Sequence, residues 1–281
     1  MRALKGHGTQ NDFVLLPDLD GARPLTPEFV RAVCDRHAGV GADGVLRVVR
    51  SENDPESTEF AAEAPFFMDY RNADGSLAEM CGNGIRVFLR YLQRVSLVEH
   101  SAAVATRGGI VSVRSGADGD VSVRMGLPLV FADRPVVTAA HQQPRTSTAL
   151  VRAPNPHVVV EVRTRAELNA LDLGTAPLVQ PALPEGQNVE FVVRVAQRHL
   201  VMRVYERGSG ETRSCGTGIC AAVAAVASAE ASAADGSPWR VDVPGGTCGV
   251  TWHTDGEMEL RGPAVIVAEF ELDEGWLASL G

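Results

Sequence analysis

The chain builds the same short device twice. "NADGSLAEMCGNGIRVF" (residues 72–88) and "ERGSGETRSCGTGICAA" (residues 206–222) each run from a polar, glycine-bearing stretch into Cys-Gly-x-Gly and then straight into an apolar helical pattern. The two cysteines, Cys81 and Cys215, stand 134 positions apart in a chain of 281 residues, close to half its length. A loop–cysteine–helix unit repeated at that separation limits the chain to two halves of similar plan, each burying its own helix. With 45% apolar residues there is enough material for two cores.

The first helical pattern, "CGNGIRVFLRYLQRV", places Ile85, Phe88, Leu89 and Leu92 at helical spacing. The second, "CGTGICAAVAAVASAEAS", is so rich in alanine that other elements must pack closely against it on several sides. An earlier segment, "TPEFVRAVCDRH", predicts a helix with Thr26 as N-cap and Pro27 in its first turn. Otherwise short β-branched runs dominate, among them "NDFVLLPD", "GVLRVVR", "HVVVEV", "VEFVVRV", "HLVMRVY" and "WRVDVP", several of them separated by turn glycines. The fold class is therefore α+β, in two similar domains: residues 1–127 with Cys81, and residues 128–265 with Cys215. A final strand within 266–281 is free to return to the first half. The acidic segment 52–65 reads as a surface excursion.

Net charge and cysteine usage narrow the function. At −9, with no Lys/Arg-rich run, the chain lacks the basic surface that binding to a phosphate backbone needs, so nucleic acid is excluded as an expected partner. No apolar run reaches the roughly 18 residues needed to cross a bilayer, and the start "MRALKGHGTQNDF" has no hydrophobic signal region. A cytoplasmic protein without membrane partners is expected. Five cysteines, at 34, 81, 215, 220 and 248, make an odd number for a disulfide framework, and none falls in a zinc-like cluster. No metal is expected.

Each thiol then needs its own account. A cysteine at a helix start lies among unpaired N–H groups and at the positive end of the dipole, which favours thiolate by about 0.3–1 kcal/mol and at most about 2. That is at most about one and a half pK units from a reference near 8.5, enough to make the thiol usable as a base. One such site would suit a nucleophile. Two matched sites suit inversion of a stereocentre, because one face of the carbon must lose a proton while the opposite face gains one. Cys34, Cys220 and Cys248 are assigned to packing. His157, in "APNPHVVV", is either a satisfied core histidine or, with Asn155 and the stiff Asn-Pro entry, an oriented functional group. Glu206 and Arg207 are either a surface ion pair or, ahead of Cys215, a partner for an ammonium and a clamp for a carboxylate. Asn11, Asn72, Asn83 and Asn188, taken singly, suit turns and caps.

Five segments in order, "HGTQNDF" (7–13), "NADGSLAEMCGNGIR" (72–86), "APNPH" (153–157), "QNVEF" (187–191) and "YERGSGETRSCGTG" (205–218), together resemble the diaminopimelate epimerase family. The resemblance implies cofactor-independent interconversion of LL- and meso-diaminopimelate, in lysine and peptidoglycan precursor synthesis, with Cys81 and Cys215 as the acid/base pair. It implies that Gly82, Asn83, Gly216 and Thr217 hold the reacting carboxylate through helix-start donors. Asn11, Asn72, Asn155, Asn188 and Arg207 would read the distal amino-acid head, and Glu206 and His157 would face the reacting ammonium. It also implies strands wrapped around a central helix in each domain, an active site in the cleft between the domains, and a homodimer. One departure is Gly44, in "GVGADGVL", where the family usually carries glutamine, so that one polar substrate contact is absent or replaced. The rivals are a proline or hydroxyproline racemase, whose ring substrate would need an apolar wall, and a thiol-redox or metal-binding protein, for which no CxxC or further ligand set is present.

Overall fold

The computed structural model of the chain describes residues 1–230 and 234–280. Contacts divide it into two units, Met1–Val123 with Pro263–Gly281, and Arg124–Gly262.

The first unit begins with β1 (Arg2–Gly8) and β2 (Asn11–Pro17), then α1 (Pro27–Cys34), β3 (Gly44–Arg50) and β4 (Phe66–Asn72). After α2 (Gly82–Arg94) come β5 (Ser101–Thr106), β6 (Gly109–Ser115) and β7 (Val121–Gly126). α2 lies against β1, β2, β3, β4 and β6, and its Ile85, Phe88, Leu89 and Leu92 are fully buried, as their spacing predicts. Thr9 and Gln10 close the β1–β2 hairpin with φ of +53° and +60°. Both central residues of this turn are thus left-handed, a conformation that costs non-glycine residues on the order of 1–3 kcal/mol each. The strained turn leads directly into Asn11.

α1 forms as its sequence predicts. The Thr26 side chain accepts a hydrogen bond from the Phe29 N–H at 3.2 Å, Pro27 needs no N–H in the first turn, and Val30, Val33 and Cys34 face the core. Burial there pushes the Cys34 thiol up to about 12, consistent with packing. The segment 52–65 lies at the surface as its composition predicts, with Glu52, Glu56, Glu59 and Glu63 exposed, but it is tied down. It forms two 3₁₀ turns, and Ser51, Asp54 and Ser57 are buried. Asp54 is held at 2.8 Å by Arg47 of β3, a tie that acidic composition could not reveal.

The second unit contains β8 (Leu129–Phe131), β9 (Val136–Thr138), β10 (Arg145–Thr146), β11 (Ala149–Arg152) and β12 (Pro156–Glu161). The short α3 (Arg165–Asn169) and β13 (Leu178–Gln180) lead into β14 (Asn188–Ala196), β15 (His199–Glu206) and β16 (Gly210–Thr212). α4 (Gly216–Ala229) follows, then β17 (Pro238–Val243), β18 (Gly246–Trp252) and β19 (Met258–Gly262). β9, β10 and β13 form a small separate sheet. α4 is buried from Gly216 to Ala227 and lies against β8, β11, β12, β14, β15, β18 and β19, the enclosure its alanines imply. Cys220 on α4 and Cys248 on β18 are both buried, in keeping with packing. The chain ends with β20 (Val265–Glu271), paired with β1 in the first unit, and the short α5 (Glu274–Ala278).

The repeat extends to eight strands in each unit. Across the first unit, β20, β1, β2, β3, β4, β5, β6 and β7 pair in the succession antiparallel, antiparallel, parallel, antiparallel, parallel, antiparallel, antiparallel. Across the second, β8, β11, β12, β14, β15, β17, β18 and β19 give the same succession. In each unit the buried helix falls between the fifth strand of this order and the sixth.

Beneath the first unit's sheet, Arg47 is 3% exposed and meets three carboxylates: Asp18 at 2.8 Å, Asp54 at 2.8 Å and Asp69 at 3.5 Å. Burial works to raise the Asp69 carboxyl, but hydrogen bonds from Arg71 and Arg107 outweigh it and hold the group below its ordinary value. That stabilisation is present above the usual carboxylate range and is lost as pH falls through it. Arg47→Met strands the acids, and should lower the unfolding free energy in urea at neutral pH by about 3–5 kcal/mol. The deficit should shrink as pH falls and the stranded carboxyls take up protons. A deficit below about 1 kcal/mol at neutral pH would show that the cluster is effectively solvated.

Candidate active site

In each unit the cysteine is the N-cap of the buried helix. Cys81 has extended backbone (φ −138°, ψ 116°), and its sulfur accepts from the Gly84 N–H at 3.3 Å. Cys215 repeats this (φ −121°, ψ 112°), accepting from the Gly218 N–H at 3.4 Å. Sulfur thus takes the place that a Ser or Asp oxygen usually holds at a helix start. Gly82 and Gly216 are the first helical residues and Asn83 and Thr217 the second, all four buried, so their backbone N–H groups lie at the orphan-donor end of the helix.

Around Cys81 the partners are amides. The thiol donates to Asn11 Oδ1 at 3.7 Å, and Asn83 Nδ2 donates to the same oxygen at 3.1 Å. Asn11 Nδ2 in turn donates to Asp43 Oδ2 at 2.8 Å. Asn72, at the end of β4, accepts from the Tyr70 hydroxyl at 2.9 Å and donates to Ser76 Oγ at 3.0 Å. The structure also accounts for the departure at position 44. A Cβ on Gly44 would come within 2.7 Å of the Tyr70 ring and 2.5 Å of the Arg71 carbonyl oxygen, so an aromatic ring occupies the space that a longer side chain would need.

Around Cys215 the partners are acids. The thiol lies 3.4 Å from Thr217 Oγ1 and hydrogen-bonds Glu206, which also accepts from the Thr212 hydroxyl. His157 and Glu190 are fully buried, with Nδ1 and Oε1 2.7 Å apart. Their outward atoms, His157 Nε2 and Glu190 Oε2, are buried without a hydrogen-bond partner. A Cβ on Gly218 would lie 2.5 Å from Glu190 Oε1, so only glycine lets this carboxylate lie over the helix start. Asn188, level with His157 across the parallel β12–β14 pair, accepts from the Arg207 backbone N–H at 2.9 Å.

Glu206 and Arg207 are not joined as a surface pair: the exposed Arg207 guanidinium reaches the Glu185 carbonyl while Glu206 turns to Thr212 and Cys215. Asn155 lies in the turn between β11 and β12, its carbonyl accepting from the Ala153 N–H at 3.0 Å. Among the described residues no three His, Cys, Asp or Glu side chains stand together as a metal site.

At Cys215 the helix dipole does not decide the protonation state. Burial, followed by the negative charges of Glu206 and Glu190, pushes this thiol well above its ordinary value, against the help of Thr217 and the Gly218 N–H. The expectation of a dipole-favoured thiolate is therefore corrected here: removal from water outweighs a gain of at most about 2 kcal/mol. Burial raises Glu206 as well, despite hydrogen bonds from Thr212 and Cys215. The sequence reading missed Gly84 and Gly218, whose signal was their third position after the cysteine, the usual partner of a capping atom. It also missed Asp43 and Glu190, whose roles depend on register between strands.

The Diaminopimelate epimerase family model matches residues 3–130 and 149–267. The diaminopimelate epimerase of Streptomyces coelicolor is 54% identical over 283 aligned positions, covering 98% of this chain and 96% of the relative. That of Thermobifida fusca is 49% identical, covering 96% and 97%. Among solved structures, a PhzF-family phenazine biosynthesis protein from Bacillus anthracis superposes with a TM-score of 0.71 at 18% identity, covering 97% of this chain and 99% of that one. A probable proline racemase from Agrobacterium radiobacter gives 0.70 at 15% identity, covering 97% and 93%. These structural likenesses concern the fold.

Glu206→Gln removes the charge that, after burial, most opposes ionisation of Cys215. The midpoint of Cys215 alkylation by iodoacetamide against pH, read by peptide mass spectrometry, should fall by roughly one unit. An unchanged midpoint would mean that Glu206 is already neutral beside the thiol.

Proposed function

Because the chain belongs to the diaminopimelate epimerase family, we propose that it interconverts LL- and meso-2,6-diaminopimelate by a two-base proton transfer between Cys81 and Cys215. The observation that carries this reading is the pair of thiols at helix starts, each bonded to the third N–H of its helix. One thiolate takes the α-proton, and the electron pair left on carbon delocalises into the adjacent carboxylate. N–H groups at a helix start, near Gly82 and Asn83 or Gly216 and Thr217, suit the oxygen charge that develops there. The other thiol then delivers its proton to the opposite face, and the two exchange roles when the reaction reverses. No pyridoxal phosphate is required, because the protein supplies both the base and the acid.

The acids around Cys215 suit a cationic substrate group. His157 Nε2 and Glu190 Oε2 are buried polar atoms without a partner, and the Glu206 carboxyl stands beside the same thiol. A reacting ammonium would satisfy these buried atoms. The amides of Asn11, Asn72, Asn155 and Asn188, together with Arg207, suit the distal amino-acid head, and this polar set favours a diamino diacid over the ring of proline. No helix among the described residues is long and apolar enough to cross a membrane. The reading extends to a cytoplasmic homodimer, in which a second copy could cover apolar side chains such as Leu129 (56% exposed) and Phe131 (40% exposed). Light scattering on the purified protein tests that part.

Purified protein should convert LL-diaminopimelate to the meso form with no added cofactor and in the presence of hydroxylamine, which traps carbonyl cofactors. In D₂O, early meso product should carry deuterium at the inverted carbon while recovered LL substrate stays mostly protiated. Cys81→Ser and Cys215→Ser should each lower kcat by roughly 10²–10⁴-fold. Product that retains the original protium, or a serine variant with near-normal turnover, would sink the two-base reading.

A further inference from the structure

The amide groups beside Cys81 are held in one orientation by charged residues outside the pocket. An asparagine side chain can turn end for end at little steric cost, so its partners decide whether oxygen or NH₂ faces a neighbour. Here both partners are unambiguous. Arg86 is 0% exposed and has only donors; it donates to Asn83 Oδ1, and also to Thr9 Oγ1 at 2.8 Å, the Gly82 carbonyl at 3.2 Å and the Pro263 carbonyl at 3.1 Å. The oxygen of Asn83 is thereby committed, and its NH₂ must point to Asn11 Oδ1, 3.1 Å away. At the other end the Asp43 carboxylate has only acceptors when ionised. Its Oδ2 takes Asn11 Nδ2 at 2.8 Å and the Asp12 N–H at 3.1 Å, and its Oδ1 takes Arg36 at 2.7 Å.

The chain of bonds therefore runs one way, from Arg86 through Asn83 and Asn11 to Asp43, and leaves Asn11 Oδ1 facing the Cys81 sulfur at 3.7 Å. We infer that Asp43 and Arg86 are positioning residues that lock the Asn11 amide with its oxygen toward the Cys81 thiol, so that this cysteine can serve as acid as well as base. The inference rests on the two-base reading above. The Gly84 N–H and the start of α2 favour the thiolate, while an acceptor oxygen favours the protonated thiol. Opposed in this way, the two keep both protonation states within reach, as a reversible proton carrier requires. With the amide reversed, NH₂ and N–H would both face sulfur and hold it as thiolate.

The ionisable groups around this chain are Lys5 and His7 on β1, Asp12 on β2, Arg36 after α1, Asp43 before β3 and Arg86 on α2. Burial works to raise the Asp12 carboxyl, but Arg36 and Lys5 outweigh it and bring it down to about 2, while burial and the neighbouring Asp12 raise Asp43. The Asp12 charge thus persists throughout the neutral range.

Asn11→Ala tests the orientation, because it removes the oxygen that faces the thiol. The midpoint of Cys81 alkylation against pH should fall by about one unit, roughly a tenfold gain in thiolate below the midpoint, while the Cys215 midpoint stays fixed. Asp43→Leu combined with Arg86→Met, which frees both ends of the amide chain, should lower the Cys81 midpoint as well, and Asp43→Glu, which keeps an acceptor, should hold the wild-type midpoint. Asn11→Ala decides even if the double variant does not fold. A Cys81 midpoint unchanged in the folded variants overturns the inference. Wild-type protein inactive on diaminopimelate would overturn the functional reading instead, and the alkylation profiles would still decide this one.

Discussion

The first N–H groups of a buried helix have no partner within the helix. In both units cysteine sulfur meets one of them, 3.3 Å from the Gly84 N–H and 3.4 Å from the Gly218 N–H. This requirement ties fold to chemistry. The capping atom is fixed at the helix start by the backbone itself, beside the remaining donors that can receive a developing oxyanion. Glycine at the third helical position serves the same arrangement, since at Gly218 even a methyl group would displace the Glu190 carboxylate.

On this shared scaffold the two half-sites have diverged electrostatically. Asn11 and Asn83 surround Cys81 with amides whose orientation is set from outside by Arg86 and Asp43. Cys215 meets Glu206 and Glu190, and burial with their charge holds it as a thiol. The dipole is common to both units and cannot distinguish them. What distinguishes them is which side chains the strands bring to each helix start, and at Cys215 the cost of removing a charge from water is the larger effect.

Away from the helix starts, buried polar groups also set the architecture. The Arg47 cluster joins β3 and β4 to the acidic turns at 51–60 through Asp54, an acid that looks solvated in sequence and is buried. At position 44 the glycine and Tyr70 act together: the ring fills the space beside the backbone, and its hydroxyl reaches Asn72.

The sequence by itself determined the two-fold plan, both buried helices, the Thr26 cap and the cysteine at each buried helix start, because these depend on local spacing, capping chemistry and helical period. It left His157 open between a core histidine and an oriented group, and Glu206 open between a surface ion pair and a partner for an ammonium, while Asn188 entered the site only through the family resemblance. Tertiary structure alone decided that Glu190 stands 2.7 Å from His157, that Asp43 anchors Asn11 and that Arg47 gathers three carboxylates, since each arrangement depends on strand register and on segments that folding brings together. It decided too that Cys215 rests as a thiol. A helix start can be read from a few consecutive residues, but the dielectric and the charges around it depend on what the rest of the chain packs there.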